Sequence, residues 1–383
     1  MIRIKNVEIA KALGISTAAV SMAVNNKPGV SDETRKKVQA YIAERQQQFS
    51  SPVPASMTPP VSLPDSGTMT NQVIVLCIHK SHGSIIIDKP FFSKMIEAIQ
   101  TEAIQYGYSL VIVHNDSISS VEEYRQHLLS IHPSGIILLT TEMSEEDLAF
   151  YQNLRLPLVL LDGYFDCCPA DSVTIDNSTA ILRAYKYAHS MGHKNIGYMK
   201  SSVWISNFEH RFDGFQKGVR MFEEEGSSPL VLSLGPNIEE AYLDMNAYLD
   251  QCGLDLKLPT CFICDLDYIA IGAMRALQEH GIHVPEDVSL IGFDDIEASQ
   301  ICNPPLTTIS LHQNIIGMEA VRLLQQTITG QKNSYVAMQI ASDFIVRDSV
   351  KKSGEFLRKQ ETKRLASTFY RFASPFVYIP RNL

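Results

Sequence analysis

The polar and aromatic side chains that could do chemistry in this sequence follow short apolar runs. Asp162 comes directly after Leu158–Leu161, and Asp294 comes soon after the run Val288–Gly292. A carboxylate at the end of a buried strand can accept hydrogen bonds from the hydroxyl groups of a ligand such as a sugar. The only tryptophan, Trp204, lies just beyond another such run and could stack on a sugar ring. These residues indicate a binding site, with a structural role as the alternative for each.

Signatures of catalysis are missing from the sequence. There is no Gly-rich phosphate loop, no nucleophile elbow and no evident acid–base pair of carboxylates. Cys261-Phe262-Ile263-Cys264 has the spacing of zinc ligands, but no second pair completes the four ligands of a structural zinc site. We interpret these cysteines as core packing and expect no metal and no cofactor.

Length and composition indicate a small accessory domain joined to a larger one. The chain has 383 residues, of which 45% are apolar, enough for two separate cores. The net charge of −9 is uneven, because residues 1–50 carry +4, residues 51–346 carry −19 and residues 347–383 carry +6. A basic head on an acidic body fits a nucleic-acid contact at one end, although such a charge is also ordinary for a protein surface.

The sequence also predicts a location. It has neither an apolar run after a basic start nor an apolar stretch of membrane length, so we expect a cytoplasmic protein without membrane contact. The seven cysteines are odd in number and scattered, which favours reduced thiols over disulfides.

Residues 1–46 predict three short helices that form an all-α helix-turn-helix domain. Ser16 is placed to cap the second helix and Ser31 the third. Helical spacing puts Val20 and Ala23 on an inner face of the second helix, where they can meet Val38. The opposite face carries small residues, an arrangement that DNA-reading helices use and that other three-helix bundles share.

A linker and a larger domain follow the predicted helix-turn-helix. Residues 47–71 contain five prolines and read as an extended linker. Residues 72–349 alternate short apolar runs with helical patterns, which predicts α/β architecture with parallel sheets covered by helices on both faces. Eight or more strands suit two doubly wound subdomains, like those of periplasmic binding proteins. A ligand would then lie in the cleft between them, at the carboxyl ends of the strands.

Two segments of the sequence resemble the LacI/GalR family of transcriptional regulators. The first 46 residues match its DNA-binding domain in order and spacing, at Val7-Glu8-Ile9-Ala10, Gly14-Ile15-Ser16, Val24-Asn25-Asn26 and Val30-Ser31-Asp32-Glu33-Thr34-Arg35. The larger domain carries signatures similar to those of the family's sensor, at Asp267-Tyr268-Ile269-Ala270, Val284-Pro285-Glu286-Asp287, Gly292-Phe293-Asp294-Asp295 and Pro304-Pro305-Leu306-Thr307. The resemblance implies a homodimer that represses genes by binding a pseudo-palindromic operator, with a carbohydrate as the commonest kind of effector.

By position in the family pattern, Thr17, Ala18 and Met22 are expected to face the bases of the operator. Ser21, Asn25 and Ser31 are expected to contact its phosphates. Relatives usually carry an arginine where this chain has Met22, and a thioether offers a base only an apolar contact. The linker also lacks the Ala-Arg-x-Leu helix through which relatives couple the sensor to DNA.

The resemblance also implies where the effector binds. Arg211 falls on the family's ligand-clamping arginine, whose planar fork can hold two hydroxyls or a carboxylate. Phe91 and Phe92 follow the first strand, where relatives line the pocket, and Asp267 lies in a sensor signature. Leu266 stands where relatives often have asparagine, which makes the pocket floor less polar.

Two other classes of function remain as alternatives, and the role of the last residues of the chain is a further question. An enzyme or a free-standing solute-binding protein could use the same larger fold. The missing catalytic signatures oppose the first, and the missing signal peptide and the helix-turn-helix oppose the second. Residues 350–383 extend beyond the family pattern and mix basic with aromatic residues. We favour a solvated helix whose aromatic end packs on the sensor over a second nucleic-acid contact.

Overall fold

The computed structural model describes most of the larger domain and part of the head. Described are residues 72–81, 83, 85, 90–115, 120–165, 168–222, 228–253 and 256–353, with residues 15, 16, 19, 20, 23, 31, 34–38 and 41 of the head. The chain divides into two compact units, Met1–Gly67 and Thr68–Leu383. The boundary between them falls inside the predicted linker.

The described residues of the head carry both predicted helix caps. The Ser16 hydroxyl accepts a hydrogen bond from Ala19 N at 3.1 Å, and the Ser31 hydroxyl accepts one from Thr34 N at 3.2 Å. The Val20, Ala23 and Val38 side chains are buried, as their spacing predicts. Both caps are therefore confirmed. Of the residues predicted to contact DNA, Thr17, Ala18, Ser21, Met22 and Asn25 lie outside the described residues.

The first sheet of the larger unit has six parallel strands in the order β11-β5-β4-β3-β1-β2. Its strands are β1 (Gln72–Ile78), β2 (Tyr108–His114), β3 (Gly135–Leu139), β4 (Leu158–Leu161), β5 (Asp171–Ile175) and β11 (Ala337–Ile340). β3 is buried along its whole length, as expected for a strand covered on both faces.

The second sheet has four parallel strands in the order β7-β6-β8-β9, and a short antiparallel pair joins β10 to β12. These strands are β6 (Ile196–Ser201), β7 (Val231–Leu234), β8 (Cys261–Cys264), β9 (Ser289–Ile291), β10 (Thr308–Ser310) and β12 (Asp343–Ile345). Because β11 returns to the first sheet after β10, the chain crosses between the two halves more than once. The prediction of two doubly wound halves with parallel sheets is confirmed.

Nine helices of the described larger unit cover the two sheets. They are α1 (Pro90–Gln105), α2 (Val121–Ser130), α3 (Glu145–Gln152), α4 (Asn177–Ser190), α5 (Ser206–Phe222), α6 (Ile238–Cys252), α7 (Asp267–Glu279), α8 (Glu297–Ile301) and α9 (Gln313–Ile328). Several begin at a side-chain cap, such as Asp176, whose carboxylate accepts from Thr179 N at 3.1 Å. Among the described residues, no helix is both long and apolar enough to cross a bilayer.

Helix α9 shows how the late part of the chain completes the first half. It packs against α1 and against strands β3, β4 and β5 of the first sheet. Gly317 allows the close approach to α1, because a Cβ at this position would lie 2.6 Å from the carbonyl oxygen of Met95. Strand β5 and the last three strands, β10, β11 and β12, have only three to five residues and do not stand out in the sequence as continuous apolar runs.

Candidate effector site between the two sheets

A small cavity of about 30 Å³, open to solvent on one side, lies between the carboxyl ends of the strands of the two sheets. Five of the seven predicted effector residues line it, namely Phe91, Phe92, Asp162, Arg211 and Asp294. The other described residues around it are Ile85, Thr141, Ile175, Ile205, Asn207, Phe208 and Leu266. Most of the wall is apolar, and a few polar groups converge on the interior, which is the usual composition of a small-molecule site.

The two phenylalanines stand in the first turn of α1, which begins at Pro90. Proline suits the first helical position because its fixed φ matches the helix and its missing N–H would have no partner there. The rings of Phe91 and Phe92 meet edge to face, with centroids 5.0 Å apart. This contact holds both rings on the wall of the cavity.

Arg211 is fixed in the cavity by contacts on all sides of its guanidinium. The residue lies on α5 and is only 4% exposed. Its Nε donates to Asn177 Oδ1 at 2.8 Å, and one terminal nitrogen donates to the carbonyl oxygen of Asp265. The other terminal nitrogen lies 3.7 Å from Asp294 Oδ1. Because the fork is already oriented, a ligand would not have to order it.

Asp294 occupies an unusual backbone conformation just beyond β9. Its φ is +111°, and that of the next residue, Asp295, is +53°. Such conformations cost a residue other than glycine about 1 kcal/mol or more. Neighbouring contacts maintain them, since Asp294 N donates to Ile309 O at 2.9 Å and Arg347 bonds the Asp295 carboxylate at 2.5 Å. The strained turn directs the backbone that carries Asp294 to the cavity.

Asp162 forms the same kind of turn at the end of β4. Its φ is +60°, and its N–H donates to Val173 O at 3.0 Å. Carboxylate oxygen Oδ2 accepts from the Thr141 hydroxyl at 2.7 Å, whereas Oδ1 is buried and has no hydrogen-bond partner. Burial raises the pKa of this carboxyl to about 6. The unpartnered oxygen belongs to a residue that lines the cavity.

Asn207 and Phe208 are two lining residues that the sequence analysis missed. They precede Arg211 on α5 by four and three residues, and this spacing places all three on one face of a helix. Asn207 accepts from Asn177 Nδ2 at 2.9 Å and donates to the carbonyl oxygen of Asp162 at 2.9 Å. Helical periodicity counted back from Arg211 would have identified both residues.

Ile85 reaches the cavity through a contact that no local pattern could reveal. The buried Glu142 carboxylate accepts from Gly83 N at 2.7 Å and from Ile85 N at 2.8 Å. It thereby fixes part of the segment between β1 and α1 over the site. The residues that meet here are almost 60 positions apart in the chain.

Asp267 does not reach the cavity, contrary to the prediction that it binds the effector. Its side chain is fully buried at the start of α7. Its carboxylate accepts from Ser299 Oγ at 2.6 Å, from Thr308 Oγ1 at 2.5 Å and from Ile296 N at 3.0 Å. Because three donors already occupy it, this carboxylate has a structural role.

Trp204 is also placed outside the cavity, so its predicted stacking on the effector is not supported by this arrangement. The side chain is 63% exposed, and the indole N–H donates to Glu209 Oε2 at 3.2 Å. Trp204 lines a separate surface pocket together with Lys200 and Phe212. The strand before it ends at Ser201, and the chain turns outward before α5 begins.

A further buried carboxylate, Asp265, supports the site from behind. It accepts from the Tyr198 hydroxyl and from Ser201 N, the latter at 2.7 Å. Burial raises its pKa to about 6. The residue ties the end of β6 to the end of β8, and its carbonyl oxygen holds Arg211. It follows an apolar run directly, as Asp162 does, and this signal could have found it.

The cysteines of β8 pack in the core, as the sequence analysis interprets them. Cys261 and Cys264 are fully buried, and burial raises the pKa of both thiols. Within the described residues, no group of three or more His, Cys, Asp or Glu side chains is placed to hold a metal ion.

Two segments of the chain match the profiles of known protein families. Residues 74–348 match the profile described as periplasmic binding proteins and sugar binding domain of the LacI family. Residues 7–46 match the profile of bacterial regulatory proteins of the lacI family. The first match alone spans more than two thirds of the chain.

Relatives of similar length are regulators. The HTH-type transcriptional repressor PurR of Pasteurella multocida is 29% identical over 348 residues, covering 90% of this chain and 98% of that protein. A PurR repressor of Haemophilus influenzae is also 29% identical, over 351 residues, with the same two coverages.

Solved structures show the same fold. A complex of the transcriptional regulator CelR with cellobiose has a TM-score of 0.64 at 21% identity, covering 91% of this chain and all of that one. The lac repressor dimer bound to operator and the anti-inducer ONPF has a TM-score of 0.63 at 23% identity and the same coverages. The chain therefore belongs to the LacI family of bacterial regulatory proteins, as a DNA-binding transcriptional regulator and not as an enzyme.

Proposed function

We propose that this protein is a homodimeric repressor whose binding to an operator is controlled by a small molecule held between the two sheets. The observation that carries the proposal is the cavity itself, where five residues selected from the sequence converge. One helix-turn-helix per chain can read only half of a site, so two copies are needed for a pseudo-palindromic operator. A regulator of this kind acts where the DNA lies, in the cytoplasm.

The effector that the cavity supports best is a sugar or a sugar derivative. Phe91, Phe92 and Phe208 offer aromatic surface to the apolar face of a ring. Asp162, Asp294 and Arg211 offer acceptors and donors for hydroxyl groups around its edge. The family description names a sugar-binding domain, and one structural neighbour holds cellobiose.

A nucleobase is the second candidate, and Leu266 is the observation that favours it. This buried apolar side chain lines the cavity where relatives often have a polar asparagine. A flat base could lie among the phenyl rings while a carboxylate accepts from its ring N–H groups. The balance of apolar over polar lining is compatible with either ligand.

Thermal unfolding of the full-length protein in the presence of monosaccharides, disaccharides, purine bases and nucleosides tests the proposal. A compound that binds only the folded state raises the free energy of unfolding, by about 2.7 kcal/mol at a concentration 100 times its Kd. The Tm rises as a result. Arg211→Ala is the matched control and should lose the response. If no sugar shifts the Tm but a base does, the second candidate replaces the first.

Footprinting on DNA selected from random sequence tests the operator. We expect two symmetric protected half-sites whose occupancy changes when the active compound is added. Protection of a single unsymmetrical site, or of none, would contradict the dimeric repressor.

A further inference from the structure

One carboxylate oxygen of Asp162 has no hydrogen-bond partner in the described part of the chain. The side chain is only 2% exposed, and its Oδ1 atom is buried without a hydrogen-bond partner. A buried carboxylate oxygen left in this state is costly, so such groups are almost always bonded in native proteins. Because Asp162 lines the cavity, a bound ligand can satisfy it.

Donors of the protein near Asp162 are already engaged elsewhere. The Thr141 hydroxyl donates to the other carboxylate oxygen, Oδ2, at 2.7 Å. The Asn207 amide donates to the backbone carbonyl of Asp162 at 2.9 Å, and its proximity to the carboxyl lowers the pKa of Asp162 slightly against the larger effect of burial. Arg211 donates to Asn177 and to the carbonyl of Asp265, and it lies beside Asp294. None of these donors lies within hydrogen-bonding geometry of Oδ1.

The residues that line the cavity carry a net negative charge. Among the described lining residues, Arg211 is the only cation, while Asp162 and Asp294 are carboxylates. Asp265 and Asp267 lie buried behind the wall. The lining residues themselves thus carry two carboxylates and one guanidinium, a formal charge of −1 when all are ionised. A ligand that brings a positive charge would be favoured over a neutral one.

We propose that the effector is an amine-bearing ring, and specifically a hexosamine, whose ammonium group donates to Asp162 Oδ1. This inference rests on the proposed sugar-binding function and narrows it. An ammonium group supplies donors and the compensating charge in one contact, whereas a hydroxyl supplies only a donor. The phenyl rings and Arg211 would hold the rest of the sugar as they would hold a neutral one.

Isothermal titration calorimetry of the full-length protein at pH 7 tests the proposal with matched probes. The probes are glucosamine, galactosamine and mannosamine, each with its parent hexose and its N-acetyl derivative. We expect one hexosamine to bind about tenfold tighter than both of its neutral counterparts. This ratio corresponds to the difference in free energy between a hydrogen bond that involves a charged group and one between neutral groups.

Two variants distinguish the role of the charge from a general effect on the cavity. In Asp162→Asn, the preference for the hexosamine should fall to about one, because the amide keeps the shape without the charge. In Thr141→Val, which removes the neighbouring hydroxyl but keeps the carboxylate, the preference should persist. Circular dichroism and the Tm of each variant establish that it is folded.

The outcomes separate this inference from the proposed function. A parent hexose that binds as tightly as its hexosamine overturns the amine and leaves a sugar-responsive repressor. A hexosamine preference that survives Asp162→Asn overturns the assignment of Asp162. If none of the three hexosamines binds, the inference is wrong, and the Tm response to the other sugars and bases decides the proposed function.

Discussion

The guanidinium of Arg211 lies over the ring of Phe293, with its central carbon 3.5 Å from the ring centroid. Phe293 is fully buried and directly precedes Asp294, the carboxylate closest to the same arginine. A stacked cation of this kind gains roughly 0.5–2 kcal/mol from the ring, depending on how far it is desolvated. The segment that follows β9 therefore supplies both the carboxylate of Asp294 and the ring of Phe293, against which the guanidinium of Arg211 packs.

Replacing Arg211 should abolish the response to the effector. Arg211→Lys keeps the charge, but an ammonium group cannot donate to Asn177 and Asp265 while stacking on Phe293. We therefore expect Arg211→Lys to weaken ligand binding at least tenfold. Arg211→Ala should weaken it by at least as much. Operator affinity measured by gel shift should stay within a few-fold. Unchanged ligand affinity in both variants would remove Arg211 from the site.

Asp162→Asn should stabilise the ligand-free protein at high pH. Burial raises the pKa of the carboxyl from an ordinary 3.8 to about 6. The folded state therefore holds this proton more tightly than the unfolded state, and stability falls as the pH rises from about 4 through 6. Asparagine cannot ionise and avoids this loss, which the pKa difference puts at about 3 kcal/mol.

Thermal unfolding at pH 4.5 and pH 8 measures this effect. The Tm of Asp162→Asn should exceed that of the wild type by several degrees at pH 8, and the difference should shrink at pH 4.5. Asp213→Asn, on the exposed side of α5, is the control and should change little at either pH. A variant that is less stable at pH 8 would contradict the buried charge as the cause.

Asp267→Ala should destabilise the sensor without changing its affinity for the ligand. The change leaves the hydroxyls of Ser299 and Thr308 and the N–H of Ile296 without their acceptor. We expect a loss of about 3–4 kcal/mol in the free energy of unfolding, measured with urea. Ligand affinity of the folded fraction should stay within a few-fold, and a large loss of affinity at unchanged stability would restore Asp267 to the site.

Met22→Arg should change the operator that the protein prefers. If the side chain faces the bases, arginine replaces an apolar contact with two donors for guanine, which is worth roughly 1–3 kcal/mol of discrimination. Selection from randomised DNA should then show guanine at one symmetric pair of positions, and non-specific binding should fall more steeply with salt. Identical selected sequences for both proteins would show that Met22 does not read a base.

Several features of this protein are determined by the sequence alone, because they depend on short-range patterns. Continuous apolar runs predict buried parallel strands such as β3, and Ser16 and Ser31 mark helix starts, since a cap needs only the next three residues. Residues at strand ends, among them Asp162 and Asp294, could be selected for the cavity because parallel strands bring their carboxyl ends to one edge.

Only the tertiary structure decided which of those side chains are available to a ligand. Asp162 and Asp267 look alike in the sequence, yet Asp267 meets Ser299 and Thr308, which are 32 and 41 residues away. Asp162 keeps one buried oxygen without a partner. The availability of a carboxylate depends on donors that distant segments bring to it, and no local pattern records where those segments will pack.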